Sequence, residues 1–162
     1  MTTTTARPAA RRVRTTTISE FTRYTFFIPI EPMPAPRPRF VVRGRFASPY
    51  MPKEYTAWKD AVVEFVRRVQ VDPPPPAGLL QGPLAVHINV RATRPRTSKL
   101  THPSPDVDNY AKGVLDAITQ SERWWEDDRQ VVRLVVTKAW APWAQDVGTE
   151  VTITPIPPQG DR

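Results

Sequence analysis

Asp106 and Asp108 stand two residues apart just before a helix-like run, and Glu126, Asp127 and Asp128 stand after it, ahead of an apolar run that reads as a strand. Two carboxylates so spaced in an extended lead-in to a helix can point the same way, and Asp128 precedes a strand able to run beside them. Three carboxylates brought together repel. Protonation relieves that repulsion, and so does a hard divalent cation; Mg²⁺ favours few carboxylates together with waters and substrate phosphate oxygens. Lys112 follows Asp108 by four residues and precedes Asp116 by four, so the three share roughly one helix face. Such a lysine steadies the carboxylates, or offsets negative charge developing on a phosphate under attack. A purely structural role suits the same residues: acids at a helix N-terminus, an exposed salt bridge at Lys112, and a polar turn at 126–128.

The surrounding charge favours chemistry on a polyanion. The chain carries 23 Lys and Arg against 16 Asp and Glu, a formal net charge of +7. Residues 1–99 hold 17 basic and 6 acidic side chains, and residues 100–162 hold 6 and 10. An acidic patch inside a basic protein repels phosphate backbones unless a cation bridges them. With no cysteine, disulfides and thiolate metal sites are excluded and only oxygen and imidazole ligands are left. No apolar run approaches the roughly 20 residues needed to span a bilayer, so a soluble, cytoplasmic protein with no membrane partner is expected.

The elements that must position these residues follow from pattern. Residues 1–20, rich in Thr and Arg, read as a disordered basic arm, 21–156 as one domain and 157–162 as a tail. Arg23 to Ile30 reads as a first strand. In the proline-rich segment after it, Arg37 and Arg39 sit on a stiff backbone suited to phosphate contact. Arg39 to Ser48 reads as a hairpin with Arg43 and Arg45 at its basic tip. Pro52 opens a helix in its first turn that runs to about Gln70, with Trp58 and Phe65 on its core side. Leu84 to Thr93 alternates as a half-buried strand with His87 on its polar side.

A basic loop with Arg94, Arg96, Lys99 and His102 leads to the first acids. A helix from Asp108 to about Ser121 follows, with Asp or Asn suited to cap it. Val131 to Trp140 and Thr149 to Ile156 read as strands joined across a turn near Asp146 to Gly148. The order β, hairpin, α, β, α, β, β describes an α+β domain, a mixed β-sheet with two principal helices.

The stretches PDVDNYAKGVLDAI (Pro105 to Ile118) and WEDDRQVV (Trp125 to Val132), with PRPRF (Pro36 to Phe40), resemble the RusA family of Holliday junction resolvases, metal-dependent endonucleases of bacteria and often of their phages. The joint pattern of D-x-D-N, a lysine four residues after the second aspartate, L-D-A and a later D-D-x-Q-V carries the resemblance. No single piece does. It implies a RusA-like homodimer that binds four-way junctions and other branched DNA in recombination and repair, nicking strands of like polarity symmetrically. It further implies Asp106, Asp108 and Asp128 as essential acids holding Mg²⁺, with Mn²⁺ able to substitute, Lys112 as the essential lysine, and Asn109, Asp116 and Asp127 in support. In some members a basic run immediately precedes the first aspartate, whereas here Thr101 to Pro105 separates Lys99 from Asp106. Arg37, Arg39, Arg43, Arg45, Arg94, Arg96 and Lys99 are candidate backbone contacts. A noncatalytic branched-DNA binder and a nuclease for other branched or flapped DNA are the alternatives.

Overall fold

In the computed structural model, residues 22–37, 39–43 and 46–157 are described, the side chains of 39–43 and 46–49 apart. The expected arm and the last five residues of the tail lie outside them. Four strands form one sheet in the order β1 (Tyr24–Ile28), β6 (Gly148–Pro155), β4 (Leu84–Ala92), β5 (Val131–Trp140). β6 runs antiparallel to both its neighbours, and β4 runs parallel to β5. The sheet is therefore mixed, and the fold is α+β as expected. β2 (Arg39–Arg43) and β3 (Phe46–Tyr50) pair as the expected hairpin in a separate two-stranded sheet, and its tip, Gly44 and Arg45, lies outside the described residues.

Parallel strands need a crossover, and α2 (Val107–Gln120) provides it between β4 and β5. Along β4 the even-numbered residues Leu84, Val86, Ile88 and Val90 are buried with Val151 and Ile153 of β6, under α1 (Lys53–Arg68) and α2. His87 on the other face is exposed, as its alternation predicts. Trp124 and Trp125, fully buried after α2, anchor the far end of the core, Trp124 stacking on Phe26 at 5.2 Å. Gly113 lets the helices approach: a Cβ there would meet the Trp58 ring at 3.2 Å.

Two expectations change, both at the ends of α1. Pro52 is the N-cap of α1 rather than a first-turn residue, its ψ of 138° still extended, and α1 ends at Arg68, where Val69 turns extended at ψ 132°. The turn near Asp146 joins β5 to a strand that is not its neighbour, since β4 lies between β5 and β6. β6 belongs there because both its neighbours cover it and its odd residues are buried, whereas β5 keeps one free edge and exposes Val132, Leu134 and Val135. Among the described residues no helix is long and apolar enough to cross a membrane.

Candidate active site

α2 lies across the inner side of β5, and an open cavity of ≈ 450 Å³ runs between them. Val107, Ala111 and Leu115 from α2 and Leu134 and Val136 from β5 form its apolar floor, and Asp108, Lys112 and Asp128 complete the lining. The i, i+4, i+7/8 spacing aligns 108, 112 and 115 on one helical face. Asp128 comes from the single 3₁₀ turn, Asp128–Gln130, that leads into β5. Acids 20 residues apart in sequence thus share one hollow, and both are exposed.

The two acidic clusters are held by different groups. Asp106 is the N-cap of α2 in backbone position, yet its carboxylate makes no capping hydrogen bond, contrary to the expectation that an Asp would cap the exposed N–H groups. Its backbone is extended at ψ 145°, as is usual for an N-cap residue, and Asp106 does not line the cavity. The lead-in is held by main chain instead. Lys138 Nζ of β5 donates to Pro105 O at 2.6 Å, and Ala35 N–H donates to Asn109 O at 2.9 Å. The second bond docks the proline-rich segment on the first turn of α2, two residues from the exposed Arg37.

At the second cluster one side chain does most of the holding. Gln130 Nε2 donates to Leu80 O at 2.9 Å and Gly82 O at 3.1 Å, while its Oε1 accepts from Glu126 N–H at 3.0 Å. Asp127 caps the 3₁₀ turn, accepting from Arg129 N–H at 2.9 Å. Asp127 is thereby occupied locally and Asp128 is not: among the described residues its carboxylate has no hydrogen-bond or ion-pair partner. The value of Gln130 is not readable from periodicity; its adjacency to the acids in D-D-x-Q-V is the only signal. Leu115, Leu134, Val136 and Lys138 likewise went unmarked as site residues.

Lys112 reaches Asp116, at 3.3 and 3.4 Å from its two carboxylate oxygens, and not an acid of the cavity. With Lys112 two-thirds exposed, this i, i+4 pair contributes about 0.3–0.5 kcal/mol and is readily released. Asp116 lies on the α1 side of the helix. Burial pushes the Tyr55 phenol up, and the negative charge of Asp116 adds to the push. Of the basic candidates, Arg94 donates to Ser98 O at 3.3 Å across its own loop, while Arg96 and Lys99 are exposed. The loop is tied to the sheet where Trp140 Nε1 donates to Leu100 O at 3.0 Å. Arg39 and Arg43 lie in β2 with side chains outside the described residues, as does Arg45 altogether. Neither imidazole lines the cavity: His87 is on the opposite sheet face, and His102 meets Thr101 at 3.2 Å.

Among the described residues no three His, Cys, Asp or Glu side chains converge closely enough to hold a metal ion. Two carboxylates lining an open hollow with room for waters and a phosphate nevertheless match what Mg²⁺ takes from proteins, one or two carboxylates with waters and phosphate oxygens filling the rest. The donor set, all oxygen, fits a hard cation. A family model described as endodeoxyribonuclease RusA matches residues 29–154, which takes in both helices, β4, β5, nearly all of β6 and the whole cavity, while β1 precedes it. No curated protein matches the chain.

Proposed function

This chain belongs to the RusA endodeoxyribonuclease family, and from that premise we propose that it is a metal-dependent nuclease that resolves four-way DNA junctions by paired, symmetric nicks. The observation that carries the reading is the shared cavity of Asp108, Asp128 and Lys112 between α2 and β5. Asp106, Asp108 and Asp128 would hold Mg²⁺ or Mn²⁺, the last two from the cavity wall. When bound, such a cation neutralises the carboxylates and the scissile phosphate and makes water a better nucleophile. The chain's own groups do the rest. The apolar floor of Leu115, Leu134 and Val136 limits the water around the reacting phosphate. Lys112, released from Asp116, offsets the negative charge that builds on the phosphoryl oxygens.

Arg37, Arg39, Arg43, Arg45, Arg94, Arg96 and Lys99 contact the DNA backbone in this reading, and a homodimer supplies two such cavities for the two nicks. Asn109 and Asp127 support the acids through the bonds described above.

The test is purified protein with an end-labelled four-way junction, with and without Mg²⁺. Resolution into nicked duplexes that requires the metal is the expected result; a panel of flaps and forks reads out preference. A second reading, a noncatalytic branched-DNA binder, is favoured by the engagement of Lys112 with Asp116. A shifted but intact junction at every metal concentration would select it.

A further inference from the structure

The sheet face turned away from α1 and α2 carries a second cavity of ≈ 460 Å³, and its chemistry is the reverse of the first. Arg23, His87 and Arg133 line it with Thr152 and Thr154, and among the described residues no carboxylate does. The strand register explains its form. Ala85 of β4 pairs with Thr154 of β6 on one side and Arg133 of β5 on the other, and the Tyr24–Ile153 pairing brings Arg23 opposite Thr154. One row across the sheet therefore reads Arg, Thr, Ala, Arg. With strands about 4.8 Å apart, the two arginine backbones stand about 14 Å apart over a floor of small side chains. The next row adds His87 beside Thr152. Among the described residues the side chains of Arg23, His87 and Arg133, which line the trough, make no hydrogen bond or ion pair. Among the described strand residues the acid on this face is Glu150, which lines the adjoining hollow with Asn89 and Thr137.

We propose that this trough is a second DNA-backbone site, taking the phosphodiester strand of a junction arm that passes over the free edge of β5. The proposal rests on the junction-nuclease reading above. Two observations select DNA as the occupant. Guanidinium and hydroxyl donors without an acid match phosphate oxygens. The trough and the acidic cavity also lie back to back across one edge strand, since Arg133 on the outer face of β5 is followed by Leu134 on the cavity floor. A second copy of the chain fits poorly, because an isologous contact would set these arginines against their own images.

The experiment compares wild type with Arg23→Ala/Arg133→Ala and with Arg133→Glu on a labelled four-way junction across a salt series, after matched thermal melts establish folding. Loss of two phosphate contacts predicts a junction Kd raised about tenfold or more at low salt and a log K versus log salt slope shallower by about 2, irrespective of DNA sequence. Unchanged Kd and slope in variants of a wild type that binds would overturn the trough alone. A wild type that neither binds nor cuts the junction would overturn the parent reading with it. A change in sedimentation mass on Arg133→Glu, with DNA affinity unaltered, would reassign the face to a protein partner and also sink the proposal.

Discussion

The lead-in to α2 and the turn before β5 each present acids to the same cavity, but the first is held by main chain and the second by side chains. At the lead-in, Lys138 and the Ala35 amide grip the carbonyls of Pro105 and Asn109, and among the described residues the carboxylates of Asp106 and Asp108 have no hydrogen-bond or ion-pair partner. At the turn, neighbouring acids divide the work: Asp127 caps, Asp128 faces the cavity, and Gln130 fixes both through two carbonyls of the loop before β4. The contrast teaches that adjacency to a reactive acid says nothing about sharing its role. An acid that satisfies backbone N–H groups is a scaffold residue, and one left without a partner at an open hollow is available for chemistry.

The largest effects should come from the unpartnered acids. Asp108→Asn and Asp128→Asn are each expected to lower junction cleavage by on the order of 10²–10³ or more, with melting temperature and junction binding little changed. Retained cleavage by either folded variant would break the comparison at its functional end. Next comes Lys112, whose replacement by Met should cost on the order of 10² in kcat. Asp116→Asn, which removes only its exposed partner, should stay within a few-fold, and an equal loss from both would mean that the ion pair itself is what matters.

Gln130→Ala sharpens the scaffold end. It leaves two carbonyls and two amides to find water, lowering stability by about 1–3 kcal/mol and raising the Mn²⁺ concentration needed for half-maximal cleavage. A stability loss with an unmoved metal requirement would make Gln130 structural only. Asp127→Ala should be smallest in activity, costing about 0.5–2 kcal/mol in a denaturant melt through its lost cap, with cleavage within a few-fold of wild type. If Asp127→Ala instead abolished cleavage as Asp128→Asn is expected to, the division of labour proposed for the pair would be wrong.

Much of the fold is legible in the chain. Alternation in Leu84 to Ala92, the β-branched run Val131 to Trp140 and the apolar spacing of Tyr110, Val114 and Ile118 all yield elements whose ends fall within two residues of those observed. These patterns are local, and burying one face is enough to impose them. The neighbour of each strand was not legible, because the insertion of β6 between β1 and β4 is decided by which strand can be covered on both edges. Within the site, the helical spacing already aligns Asp108 with Lys112. That Asp128 joins them, and that Asp106 stands off the cavity wall, depends on how α2 crosses β5.

By itself, then, the sequence determined the element types, the all-oxygen and imidazole ligand chemistry, the basic first half with its acidic insert, and the motif residues of the family, since each is a matter of residue type and short-range spacing. The tertiary structure alone decided which acids are spent on backbone N–H groups, which side of α2 receives Asp116, and that Arg23, His87 and Arg133 meet across four strands on the bare sheet face. Those outcomes come from packing between segments far apart in the chain, where burial of the two tryptophans and the closeness of helices at Gly113 set the geometry that no local pattern encodes.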